Sequence, residues 1–170
     1  MGLTEDLGIK MLGFGESGFR QITNSKKEIT EPGDIPGLKV RVAGSDLFLD
    51  IYQELGADPV SMNFAEVFTS LQTGTIDGQE NPFDVIYSNG LMDVQDYLTV
   101  WNYVYDPLIL GMNLEMYEAL SDEDQAIVDE AAAEANEYQI NLSRENESTQ
   151  PAEMEVQMTV TTLHADYLQV

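Results

Sequence analysis

A chain of 170 residues, 43% hydrophobic and 9% aromatic, carries 31 acids against 7 bases, a formal net charge of −24. This suits one ordinary domain or two small lobes that share elements, with roughly 70% of the unfolded surface hidden on folding. The acidity excludes nucleic acid and anionic membrane surfaces as partners, and the lack of cysteine excludes disulfides, thiol nucleophiles and zinc–thiolate sites.

In chain order, Ile9–Phe14 and Phe19–Thr23 read as two strands. The run Gly13-Phe14-Gly15-Glu16-Ser17-Gly18 between them reads as a turn or hinge. Polar and turn residues follow, punctuated by Pro32-Gly33 and Pro36-Gly37. Leu38-Lys39-Val40-Arg41-Val42 alternates apolar and basic residues and predicts a short strand. Ser45 or Asp46 caps a helix to about Leu55, which Gly56 ends. Pro59–Met62 is a short strand. Asn63 caps a helix over Phe64–Thr73, with Glu66 as capping-box partner and Gly74 as the stop. Ile76–Glu80 is a brief strand or loop, and Pro82 opens a helix running to Tyr87. Tyr97–Leu110 supplies one or two strands, and Leu114–Ala119 a short helix. Ser121 caps a long alanine-rich helix reaching about Asn146, with Asp122, Glu123 and Asp124 in its first turn. Met158–Leu163 is strand-like. The alternation predicts an α/β fold with largely parallel pairing.

Several motifs fail on chemistry. Gly13-x-Gly15-x-x-Gly18 matches the dinucleotide fingerprint as a string. That fingerprint needs a helix start directly after it to hold a pyrophosphate, and Phe-Arg-Gln-Ile-Thr is a strand pattern. Gly15-Glu16-Ser17-Gly18 has the wrong spacing for a nucleophile elbow. The single histidine, His164, excludes multi-histidine metal sites and reads as a surface residue. No cofactor or metal is expected. No stretch approaches the ~18 apolar residues that span a bilayer, so no direct membrane insertion is expected. No signal peptide is expected in this stretch either.

The charge is uneven. Residues 1–41 hold six of the seven bases and six acids; residues 42–170 hold 25 acids and one base, Arg144. Most of that excess reads as a solvated acidic surface. Against it, a buried arginine forms a rare positive focus for an anionic ligand.

Five strings carry a specific pattern. They are Phe19-Arg20-Gln21-Ile22-Thr23-Asn24-Ser25, Pro36-Gly37-Leu38-Lys39-Val40-Arg41-Val42, Leu55-Gly56-Ala57-Asp58-Pro59, Met62-Asn63-Phe64-Ala65-Glu66-Val67-Phe68, and Leu71-Gln72-Thr73-Gly74-Thr75-Ile76-Asp77-Gly78-Gln79-Glu80-Asn81-Pro82. In this order and spacing the chain closely resembles the DctP-like solute-binding proteins of TRAP (tripartite ATP-independent periplasmic) transporters. The resemblance runs from about residue 9 to about residue 150, and more faintly through Met158–Leu163.

The resemblance implies a two-lobed α/β fold of the periplasmic binding protein type that closes on an organic acid. It implies that Arg41 clamps the ligand carboxylate, that Arg20 assists, that Asn81 orients the same carboxylate and that Phe64 packs on the ligand. It implies periplasmic localisation, delivery to TRAP membrane permease subunits, and no enzymatic activity. A guanidinium offers two parallel N–H donors to a carboxylate, an amide adds a neutral donor, and a phenyl ring supplies an apolar wall. Glu66 and Gln79 read as structural. Ala43 stands where the family commonly has proline.

Family members are nearly twice this length, and against them the chain reads as an internal fragment lacking most of the first lobe. Residues 1–18 would end that lobe and form a hinge strand. Residues 19–106 would form the second, ligand-binding lobe, residues 107–146 a first-lobe strand and the long helix, and residues 147–170 a tail strand returning to the second lobe. The expected ligand is a C4-dicarboxylate, a sugar acid or a similar carboxylate. Two alternatives stand beside this reading: an acidic hydrolase using paired carboxylates, and an acidic structural domain without ligand.

Overall fold

The computed structural model describes residues 4–163, so the expectation for His164 lies outside the described residues. In chain order the elements are strand β1 (Ile9–Asn24), strand β2 (Lys39–Val42), helix α1 (Asp46–Glu54), strand β3 (Asp58–Ser61), helix α2 (Val67–Gln72), strand β4 (Gly78–Pro82), helix α3 (Phe83–Ser88), strands β5 (Tyr97–Val100) and β6 (Tyr105–Asn113), helices α4 (Leu114–Glu118) and α5 (Asp122–Met154), and strand β7 (Thr159–Thr162). They fall into two compact units. One is the chain up to Gly18 with Asp106–Asn146; the other is Phe19–Tyr105 with the chain from Glu147.

The second unit is a mixed sheet in the order β3-β2-β4-β1-β5-β7. β2 pairs parallel with β3 and β4, and β5 with β7. β1 runs antiparallel to both β4 and β5. The α/β class is as read from the sequence, but the expectation of largely parallel pairing is corrected at β1. β2-α1-β3 and β3-α2-β4 are strand–helix–strand units, whose crossovers hold their strands parallel. β1 instead pairs antiparallel with its neighbours, an arrangement that needs no crossover helix between the paired strands.

Strand alternation sorts the side chains. Val40 and Val42 join Ile22, Tyr52 and Trp101 in one buried cluster, against which Phe48, Leu49 and Ile51 of α1 pack. Val67, Leu71, Ile86, Leu98 and Met154 belong to a second buried cluster. Each fully buried aliphatic chain contributes about 1.5–3 kcal/mol relative to exposure, so these clusters fix the register of the short strands. The helix expected over Phe64–Thr73 begins as a 3-10 turn at Phe64–Glu66 before α2, and the Asn63 side chain caps it by accepting from Ala65 N.

In the first unit, the run Gly13–Gly18 is no turn: β1 continues through it as a single strand of 16 residues. Its glycines serve close approach by α5. A Cβ at Gly13 would stand 1.9 Å from Asn136 Nδ2, and one at Gly15 would stand 2.4 Å from Gln139 Oε1. Gln139 docks on the strand backbone, accepting from Glu16 N at 2.9 Å and donating to Glu16 O at 2.7 Å. Arg144 adds a paired contact to the Glu16 carboxylate at 2.6 and 2.8 Å.

Ser121 Oγ caps α5 by accepting from Asp124 N at 3.2 Å. The helix runs to Met154, past the expected end near Asn146 and through Pro151. Tertiary contacts hold the extra turns. Gln150 Nε2 donates to Asp84 Oδ1 at 3.0 Å, Tyr87 donates to Glu153 at 2.5 Å, and Met154 is fully buried.

Candidate functional site

β2 and β4 run side by side in the same direction, so their carboxyl ends bring Arg41, Glu80 and Asn81 to one edge of the sheet. β1 enters the second unit at that edge, where Arg20 pairs in register with Pro82. The carboxyl edge of an open α/β sheet is where ligands bind in this architecture. Arg20, Arg41, Asn81 and Glu80 are all buried there, Glu80 completely.

Arg41 stands opposite Gln79, on the other face from Val40 and Val42. Its Nε and Nη2 both donate to the Met62 carbonyl, at 3.1 and 2.9 Å. Its guanidinium lies 5.5 Å from the centroid of the Phe64 ring. Burial pushes its pKa below the ordinary arginine value, the Glu80 carboxylate raises it, and Arg20 lowers it. The group still carries its proton at any physiological pH. Arg41 has no carboxylate within ion-pair distance among the described residues.

Arg20 is held differently. Its Nε donates to Glu80 Oε2 at 2.5 Å and its Nη2 to Glu80 Oε1 at 2.9 Å, a fork-to-fork pair. Nη2 also donates to the Glu80 carbonyl and to Asn81 Oδ1, each at 3.0 Å. The Phe48 ring lies 5.1 Å from this guanidinium. The structure thus places Arg20 on Glu80 and Asn81, and places Phe64 at the rim, 36% exposed, against Arg41. Asn81 lies inside β4, not at a helix cap, and its Nδ2 donates to Gln79 Oε1 at 2.6 Å. From Gln79 a buried chain of hydrogen bonds passes to Thr23 Oγ1 and on to Gln95.

Sequence reasoning missed Glu80, Tyr103 and the Met62 carbonyl. Tyr103 donates to Glu80 Oε2 at 2.6 Å, and its ring stacks on Trp101 with centroids 4.3 Å apart. Burial, then the Glu80 charge and this hydrogen bond, push the Tyr103 phenol far above its ordinary value, so it remains a donor. In so acidic a chain one more glutamate carries no distinguishing signal. The usable clue was register: once Arg20 is paired with Pro82, Ile22 is opposite Glu80, and Arg20 and Glu80 share a face.

Among the described residues no group of three or more His, Cys, Asp or Glu could hold a metal ion. No helix among them is long and apolar enough to cross a membrane. A separate hollow lined by Asp46, Asp50, Asp58 and Gln53 has no basic side chain in its lining to meet an anion.

A buried arginine without a carboxylate partner among the described residues, at the carboxyl edge of an α/β sheet and beside a phenyl ring, has the donors to meet a small anion. The chain belongs to the bacterial extracellular solute-binding proteins, family 7 (DctP), whose model matches residues 2–169. It is 38% identical over 143 residues to the 2,3-diketo-L-gulonate-binding periplasmic protein YiaO of Escherichia coli K12, covering 84% of this chain and 44% of that one. It superposes with a TM-score of 0.91 on a TRAP periplasmic solute-binding protein from Polaromonas sp. JS666 bound to D-erythronate, at 34% identity, covering 97% of this chain and 55% of that one. The same TM-score, identity and coverages hold for the sugar acid binding protein DctPAm from Advenella mimigardefordensis in complex with galactonate. The chain spans about half the length of the relatives it matches.

Proposed function

We propose that this chain supplies the carboxylate-binding part of an extracytoplasmic receptor of a TRAP transporter, which captures a sugar acid or similar organic acid in the periplasm and hands it to a membrane permease. One observation carries the reading: Arg41 is buried with its Nε and Nη2 both on a single carbonyl and no carboxylate beside it among the described residues. A buried cation without a counter-charge is costly, and an anionic ligand removes that cost. In this reading Arg41 is the anchor, Asn81 orients the bound carboxylate, Phe64 covers the carbon skeleton, and Arg20 acts from one step behind through Asn81. The relatives' ligands, diketogulonate, erythronate and galactonate, are acids of this kind. Phe19–Tyr105 with the chain from Glu147 is assigned as the ligand-binding lobe, and the other unit as part of its counterpart. The function is transport: the buried carboxylate of the site, Glu80, is engaged by Arg20 and Tyr103 as an ion-pair partner rather than as half of an acid–base pair.

Calorimetric titration with D-galactonate, D-erythronate and D-glucuronate tests this. At least one should bind the parent chain, and Arg41→Ala should lose roughly a hundredfold or more while keeping its melting temperature. Equal binding by the folded variant would refute the anchor role.

A further inference from the structure

We propose that Gln79, Thr23 and Gln95 are positioning residues of the site: a one-way chain of hydrogen bonds running through them holds the Asn81 amide with its oxygen toward Arg20 and its Nδ2 group as the donor left for a ligand. This rests on the carboxylate-receptor reading above and adds the residues that act behind Asn81.

The chain of bonds lies wholly within the unit formed by Phe19–Tyr105 and the residues from Glu147. Arg20 Nη2 donates to Asn81 Oδ1 at 3.0 Å, and Asn81 Nδ2 donates to Gln79 Oε1 at 2.6 Å. Gln79 Nε2 donates to Thr23 Oγ1 at 2.9 Å, and the Thr23 hydroxyl donates to Gln95 Oε1 at 2.9 Å. Gln95 Nε2 donates to Ser25 Oγ at 2.7 Å and to the Val94 carbonyl at 3.0 Å, and Ser25 Oγ donates to the same carbonyl at 3.1 Å. The two ends fix the direction. A guanidinium can only donate, and a carbonyl can only accept. Turning any one amide between them would set donor against donor and acceptor against acceptor. Asn81, Gln79, Thr23 and Gln95 are all buried, where such a mismatch is costly.

Strand register supplies the spacing. Thr23 lies directly opposite Gln79 where β1 pairs with β4, and Gln79 lies directly opposite Arg41 where β4 pairs with β2. Gln79 and Asn81 alternate with Glu80 along β4, so their side chains share a face. Arg20 alone would leave the Asn81 amide free to swivel about its oxygen, and the bond to Gln79 fixes its plane. An amide has two N–H donors, and Asn81 gives one of them to Gln79. The other is what it can give an acid. Turned the other way, Asn81 would present a carbonyl oxygen, which has nothing to donate to a carboxylate.

The test is a double-substitution cycle on the full chain. Calorimetric titration uses D-galactonate, D-erythronate and D-glucuronate, and the melting temperature of each variant is followed. Gln79→Leu should weaken binding of the tightest of these acids roughly tenfold, the worth of one hydrogen bond. Asn81→Ala should weaken it at least as much. Adding Gln79→Leu to Asn81→Ala should cost less than about threefold more, since independent losses would multiply and a positioning residue has nothing left to position. Thr23→Val, close in shape but without the hydroxyl, should lose affinity in the same direction, and Thr23→Ser should recover it. That pair decides the matter if Gln79→Leu fails to fold. Losses that multiply in the double variant, a folded Gln79→Leu that binds like the parent, or Thr23→Val and Thr23→Ser binding alike would each overturn the proposal and leave the Arg41 anchor standing. A parent that binds none of the three acids would instead take down the receptor reading, and this inference with it.

Discussion

Arg41 and Arg20 share a sheet edge but not a fate, and what they donate to decides which is replaceable. Each charge-assisted bond contributes about 1.5–3 kcal/mol, so losing a bidentate clamp should cost about 3 kcal/mol, or roughly a hundredfold in affinity. Lysine keeps the charge but offers a point donor in place of a fork. Arg41→Lys is therefore expected to recover only part of the loss, and titration showing affinity within about threefold of the parent would remove Arg41 as anchor. Tyr103→Phe strips one of the donors to Glu80, and denaturant unfolding should show a loss of about 1–2 kcal/mol. The direction of Arg41, away from Val40 and Val42, was legible from alternation within five residues. Glu80 was not, because its meaning depends on a partner 60 positions away in sequence and on the register that joins them.

At the scale of elements, the glycine run and the end of the long helix differ from expectation for the same reason: each faces a neighbour that local pattern does not contain. Gly13 and Gly15 looked like a turn, yet they thin a continuous strand so that Asn136 and Gln139 can reach it. The long helix was expected to end near Asn146, yet contacts from Gln150, Glu153 and Met154 carry it on through Pro151. The strongest such constraint is at Gly78, where an added Cβ would stand 2.2 Å from the Thr23 backbone oxygen. That oxygen lies on rigid backbone, so Gly78→Ala must part β1 from β4. The expected result is a loss of at least about 2 kcal/mol in urea unfolding, beyond an ordinary strand substitution. Asp34 makes a subtler prediction. Its carboxylate accepts from Thr30 N, Thr30 Oγ1 and Glu31 N, and these bonds hold its pKa below 3.8. A depressed folded value means that its stabilisation is present above the unfolded value and is lost as pH falls through the folded one. The melting-temperature gap between the parent and Asp34→Asn should thus be open at pH 6 and close toward pH 2; a gap constant with pH would contradict it. By contrast, Leu38–Val42, α1 and the capped start of α5 were legible because propensity, alternation and capping agree there.

For the whole molecule the dominant fact is charge. With 31 acids against 7 bases, the folded chain concentrates like charges that the unfolded chain keeps apart. Few are locally compensated: the ion pairs of the second unit include Arg20–Glu80 in its interior and Lys26–Asp77 at its surface. Added salt screens the remaining repulsion within about 10 Å at 0.1 M. The urea midpoint should rise steadily between low and high sodium chloride, and a flat or falling midpoint would mean that the acids are locally paired. Composition made this legible at once. The mixed sheet was less so, since strand–helix alternation does not reveal that β1 lies antiparallel between β4 and β5.

The aromatic wall behind Glu80 has an optical consequence. Trp101 is the only tryptophan of the chain, and it stacks on the ring of Tyr103, whose hydroxyl rests on the glutamate that grips Arg20. An indole in that position is an intrinsic fluorophore two contacts from the site, with no other indole to mask its emission. Any event that redistributes charge over the Arg20–Glu80 pair alters the field across that ring. Ultraviolet excitation of the unlabelled protein therefore reads the state of the site directly, and Tyr103→Phe, which cuts the connection, should dim the response to an added acid without abolishing its uptake.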